Sequence, residues 1–129
     1  MARYLLDTSA LIDFAKGYEP AHATLVQLVE AGDELGVCPV NLAEFYAGLE
    51  PSQYPLWDEF FAALGYWPIS PGSARQAGVW RYSYARQGTP LSTADTLIAA
   101  VALEQAAVLI TGNVKDYPMP ELQLLPVVR

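Results

Sequence analysis

One cysteine in 129 residues, Cys38, excludes a disulfide framework and points to a reducing cytoplasm. It lies in the apolar run Leu35-Gly36-Val37-Cys38, where buried filler is expected rather than a nucleophile. One histidine, His22, excludes a zinc site that needs two. No apolar run approaches the ~18 residues of a membrane span, and Met1 to Asp7 lacks the apolar stretch of a signal peptide. Basic residues are scarce: seven Lys and Arg against fourteen Asp and Glu, for a net charge of -7. There is no Lys/Arg-rich run. Non-specific nucleic-acid coats gain affinity by neutralising phosphates, so that class is excluded. A nucleic-acid enzyme stays open if a metal ion supplies positive charge locally.

What the chain has in abundance is apolar surface. Hydrophobic residues make up 53% and charged residues 16%. That excess predicts a homodimer or a bound partner. The length suits one domain, residues 1–129.

Short apolar runs alternate with helical patterns. Tyr4 to Leu6 reads as a strand and Ala10 to Lys16 as a helix. Ala21 to Ala31 reads as a helix, Leu35 to Cys38 as a strand and Asn41 to Leu49 as a helix. Trp57, Phe60, Phe61 and Leu64 form a helical stripe, followed by a brief extended piece at Trp67 to Ile69. A helix from Pro71 to Arg86 and another from Ser92 to Gln105 precede strands at Ala107 to Ile110 and Leu122 to Val127. Gly17, Gly32, Gly65 and Gly88 close helices. Unalternating strands between helices predict an α/β fold. The expected form is a three-layer α/β/α sandwich around a mainly parallel sheet of four to five strands. Asp7 and the Thr111-Gly112-Asn113 turn each follow a strand, so both leave the carboxyl edge, where ligands bind in such sheets.

Four acidic residues fall inside apolar segments: Asp7, Glu44, Asp95 and Asp116. Each also has a plain structural reading. Asp7 caps a helix, with Thr8 and Ser9 as rival caps. Glu44 fits a solvated helix face. Asp95 ends a capping box beginning at Ser92. Asp116 fits a polar turn beside Thr111 and Asn113.

Taken together, the order of these motifs resembles the PIN-domain nucleases, most closely the VapC branch, the toxins of toxin–antitoxin pairs. Asp7 to Ile12 is similar to the family's first motif, and Glu44 in Asn41-Leu42-Ala43-Glu44 to its second acidic position. Asp95 in Ala94 to Ala100 is similar to the third, and Asp116 in Thr111 to Tyr117 to the fourth. The resemblance spans the chain and implies a cytoplasmic Mg²⁺- or Mn²⁺-dependent endoribonuclease with a VapB-like antitoxin partner, often homodimeric. On that basis Asp7, Asp95 and Asp116 are expected to hold metal, and Glu44 to orient the attacking water or hold a second ion. Thr8, Ser9, Thr111 and Asn113 are expected to support them. Arg86 and Lys115 are the candidates for phosphate contacts, although a solvated surface cation is the simpler single reading of each.

Two rival readings remain open at this stage. One is a phosphatase with Asp7 as covalent nucleophile, weakened by Ser9 where haloacid-type enzymes carry a second Asp. The other is a non-catalytic module whose apolar surface holds a partner helix.

Overall fold

The computed structural model describes residues 2–129. Five strands are β1 (Arg3–Leu6), β2 (Glu34–Val37), β3 (Gly65–Tyr66), β4 (Val108–Thr111) and β5 (Leu124–Pro126). Six α-helices are α1 (Thr8–Ala15), α2 (Ala21–Glu30), α3 (Pro39–Ala47), α4 (Tyr54–Ala62), α5 (Pro71–Arg86) and α6 (Thr93–Glu104). The strands form one sheet in the order β3-β2-β1-β4-β5, every neighbouring pair parallel. All five therefore end at the same edge.

Period-two alternation along β1 and β4 divides the interior into two cores. Leu5 and Leu109 face α5 and α6, where Trp80, Ile98 and Val101 pack. Leu6 and Ile110 face the other way, onto Leu11, Leu25 and Phe45 of α1, α2 and α3. This is the expected α/β/α sandwich. Among the described residues, no helix is long and apolar enough to cross a membrane.

Local chemistry explains the boundaries. Asp7, Ser70 and Ser92 each accept a backbone N–H at a helix start. Gly17, Gly32 and Gly88 take positive φ after α1, α2 and α5. α6 has no such glycine, and Ala106 itself adopts φ 52°.

Two elements differ from the sequence expectation. The extended piece pairs at Gly65–Tyr66, not at Trp67 to Ile69. Trp67 turns its indole over Gly36 and Gly65, where only bare backbone leaves room. The last strand pairs over Leu124–Pro126 alone, shorter than the apolar run from Leu122 to Val127.

The Gly36 slot gives a direct test of this packing. A Cβ on Gly36 would stand 2.5 Å from the Trp67 ring. Gly36→Ala should therefore destabilise the fold by about 1–3 kcal/mol, the cost typical of overpacking. Urea unfolding with a tryptophan fluorescence readout measures it.

Candidate active site at the carboxyl edge of the sheet

Asp7 is the first residue beyond central strand β1, and it is 3% exposed. Its N–H donates to the Ile110 carbonyl at 3.0 Å, which extends the β1–β4 ladder by one step. Its carboxylate serves both chain directions. Oδ1 accepts from the Ala10 N–H at 2.8 Å and from Ser9 Oγ at 2.7 Å. Oδ2 accepts from Thr111 Oγ1 at 2.6 Å, across the strand pair. The capping role and the placement at the carboxyl edge of the sheet thus coexist. Ser9 Oγ in turn accepts from the Gly112 N–H at 3.0 Å, and Thr111 Oγ1 accepts from the Asn113 N–H at 2.9 Å.

Asp95 is half-buried in the first turn of α6, with its N–H on Ser92 Oγ at 3.0 Å. Asp116 lies in a single 3-10 turn, Val114–Asp116, after β4. The structure brings Asp95 within the electrostatic reach of both Asp7 and Asp116. Glu44 stands apart. It is exposed on α3, and its Oε1 accepts from Thr8 Oγ1 at 2.5 Å. Thr8 therefore supports Glu44, while Ser9 and Thr111 support Asp7. The Asn113 and Lys115 side chains are exposed on the turn. Arg86 is exposed at the end of α5, its guanidinium 3.8 Å from the Tyr82 ring centre.

Two residues emerge that the sequence reading did not assign. Asn41 is fully buried. Its Oδ1 accepts from the Cys38 N–H at 2.8 Å, and its Nδ2 donates to the Leu6 carbonyl. It pins the start of α3 to the end of β1 and so sets where Glu44, one turn later, is presented. The signal was an Asn three residues after a strand end, a capping spacing inside an apolar segment. Tyr117 is 3% exposed, and its hydroxyl donates to Asp95 Oδ1 at 3.4 Å while also facing Asp7 as a donor. It links the two carboxylates. Its position directly after Asp116, an aromatic in a polar turn, was the available hint.

Burial pushes Asp7 above the ordinary carboxylate range, against the pull of its hydrogen bonds from Thr111, Ala10 and Ser9. Burial also raises Asp95, and the charges of Asp116 and Asp7 raise it further. Tyr117 is raised by burial and then by the Asp7 and Asp95 charges, so it stays a donor. Cys38 is raised by burial first and is 0% exposed, as befits inert filler.

The PIN domain family model matches residues 4–115. Ribonuclease VapC19 of Mycobacterium tuberculosis is 31% identical over 120 residues, covering 92% of this chain and 96% of that protein. The chain belongs to the PIN-domain family, in its VapC branch. Two solved structures are similar in fold. VapBC2 from Rickettsia felis bound to a promoter DNA fragment superposes with TM-score 0.82 at 23% identity, covering 96% of this chain and 98% of that one. VapBC-1 from nontypeable Haemophilus influenzae gives 0.81 at 25%, covering 96% and 97%.

PIN-domain VapC nucleases are generally dependent on a divalent metal ion. Among the described residues, no three His, Cys, Asp or Glu side chains stand within ligating reach of one ion as they lie. The donors are nevertheless all oxygens, and among the described residues neither ion pair reaches them: these join Arg3 to Glu34 and Arg129 to Asp13. An all-oxygen donor set without a cationic side chain suits a hard cation such as Mg²⁺ in its chemistry, and the side chains would have to close in, or act through water, to hold one.

Because Asp7 and Asp95 bind protons more tightly folded than unfolded, the stability they contribute is complete below the unfolded value of 3.8. It is lost as pH rises through their raised folded values. Without divalent ions, Asp7→Asn should match or exceed the wild-type melting temperature at neutral pH, with the difference closing toward about pH 4. Calorimetry across that range in EDTA checks it; a neutral-pH loss would mean that burial of the charge is not the dominant cost.

Proposed function

We propose that the protein is a Mg²⁺- or Mn²⁺-dependent endoribonuclease and the toxin of a VapBC-type toxin–antitoxin pair. The observation that carries this reading is a buried Asp7 with no ion-pair partner among the described residues, its charge acting together with that of Asp116 on Asp95 at the carboxyl edge of a parallel sheet. Its ribonuclease relative and its VapBC structural neighbours support the same reading.

In this reading Asp7, Asp95 and Asp116 hold the ion, directly or through water. A bound ion would supply Lewis acidity there, lowering the pKa of a water and offsetting charge on phosphoryl oxygens. Ser9 and Thr111 fix the Asp7 carboxylate, and Tyr117 fixes that of Asp95. Glu44, steadied by Thr8, orients the attacking water or holds a second ion. Asn113 braces Thr111 through its N–H. Arg86 and Lys115 contact phosphates of the RNA.

The antitoxin has a surface to cover. A cleft of about 450 Å³ opens between α1, α3 and α4, lined by Ile12, Phe45, Leu49, Leu56 and Trp57. Leu56 there is 60% exposed. Beside it a second apolar cleft runs between α2 and α4, through Leu25, Val29 and Phe60. Such ground fits the apolar face of a VapB-like chain. The proposal places the protein in the cytoplasm, as a homodimer whose protomers are each one domain over residues 1–129.

Asp7→Asn should abolish Mg²⁺-dependent cleavage of RNA while circular dichroism stays that of the wild type. Full activity would sink the metal-site reading. Tyr117→Phe deletes one hydroxyl and should raise the Mn²⁺ concentration for half-saturation about tenfold. Titration calorimetry reads that loss independently of turnover.

A further inference from the structure

α5 is chemically unlike the rest of the chain. It carries Arg75, Arg81 and Arg86, three of the seven basic residues, and none of the fourteen acidic ones. Arg75, Val79, Tyr82 and Arg86 recur at spacings of four, three and four, which places them on one helical face. All four are exposed, Val79 at 46% and Tyr82 at 63%. The stripe extends for about 16 Å along the helix. The opposite face is the packed one, with Ser73, Ala77 and Trp80 buried. Two acids meet the helix at its start and its packed side: Glu104 accepts from Ser70 Oγ at 2.5 Å and Glu121 from Trp80 Nε1 at 3.3 Å.

The last turns of α5 also touch the segments that carry the site. Tyr84 donates its hydroxyl to the Pro118 carbonyl at 3.4 Å, one residue beyond Tyr117. Arg81 Nε donates to the Leu91 carbonyl at 3.1 Å, next to the Ser92 that caps the Asp95 helix. The basic stripe therefore runs out at the acidic edge.

We infer that the exposed face of α5 is the track on which single-stranded RNA lies as it enters the site. This rests on the nuclease reading and extends it from one phosphate contact at Arg86 to a surface. Arg75 and Arg86 pair with phosphates, and Tyr82 offers a ring for a base to stack on. The Arg86 guanidinium over Tyr82 holds that ring and keeps its own outer edge free for a phosphate. A second copy of the chain is a poor occupant. A two-fold contact would set two such helices, each with three arginines and no acid, against one another.

The test is equilibrium binding of the full-length protein to a short fluorescent single-stranded RNA of mixed sequence, in EDTA, across a salt series. R75Q/R86Q should weaken binding and lower the slope of log K against log salt by about 1.4, the loss of two phosphate contacts. Tyr82→Ala should weaken binding about fivefold or more and leave the slope unchanged, the loss of one base stack. Wild-type affinity and slope in both variants would overturn the assignment. So would a shift from dimer to monomer in sedimentation accompanying the loss, which would make the face a contact between copies. A parallel assay in Mg²⁺ separates the two readings. Cleavage that persists with wild-type binding in the variants rejects the α5 track alone. RNA held on α5 by a wild-type protein that never cleaves it rejects the nuclease and keeps the track.

Discussion

A carboxylate buried at the end of the central strand is the constraint around which this structure is organised. Asp7 sits where β1 stops and α1 begins, and three donors from two separate segments converge on its two oxygens. Each donor depends on something larger. The Ala10 N–H exists there because α1 starts at that point. Thr111 arrives because β1 and β4 run parallel with Leu6 opposite Ile110. Ser9 is held by the backbone of Gly112, where an added Cβ would stand 3.3 Å from Ser9 Oγ. Cap, strand register and turn therefore all meet at one charge. Those hydrogen bonds favour the ionised form, but burial outweighs them. The fold buries a carboxyl whose ionised form is costly, at the place where a ligand of opposite charge would be most valuable.

That arrangement gives the acidic composition a meaning. An acidic protein repels RNA at long range, and Asp7, Asp95 and Asp116 add negative charge at the sheet edge. Attraction has to be local. α5 concentrates positive charge on a single exposed face, while the acids of the opposite layer lie elsewhere. The two large helical layers thus divide the work. α5 and α6 bring charge and the Asp95 turn; α1, α3 and α4 bring apolar clefts suited to a protein partner.

Much of this was legible from the residues. The alternation of short apolar runs with glycine-closed helices gave the parallel sheet, and strand ends located the acidic edge. What escaped were features that depend on two segments meeting. Trp67 reads as part of a strand until Gly36 and Gly65 are seen to make room for its indole. Asn41 reads as a polar residue on a helix flank until the Leu6 carbonyl is found beside it. Tyr117 looks like the end of a turn until α6 delivers Asp95 to its hydroxyl. Glu44 kept the ambiguity it has in the sequence, because an exposed helical carboxylate becomes a site group only through Thr8, thirty-six residues earlier.

The all-parallel strand order also governs how the protein is made. No strand in this sheet can pair with a hairpin neighbour, so every pairing waits for a crossover. β1 is synthesised first, but its partner β4 comes about a hundred residues later. Thr111, Asp116 and Tyr117 follow later still. Until that stretch has left the ribosome, Asp7 lacks its cross-strand donor and Asp95 lacks its phenol. The topology withholds the assembled edge until β4 and the turn after it have been made.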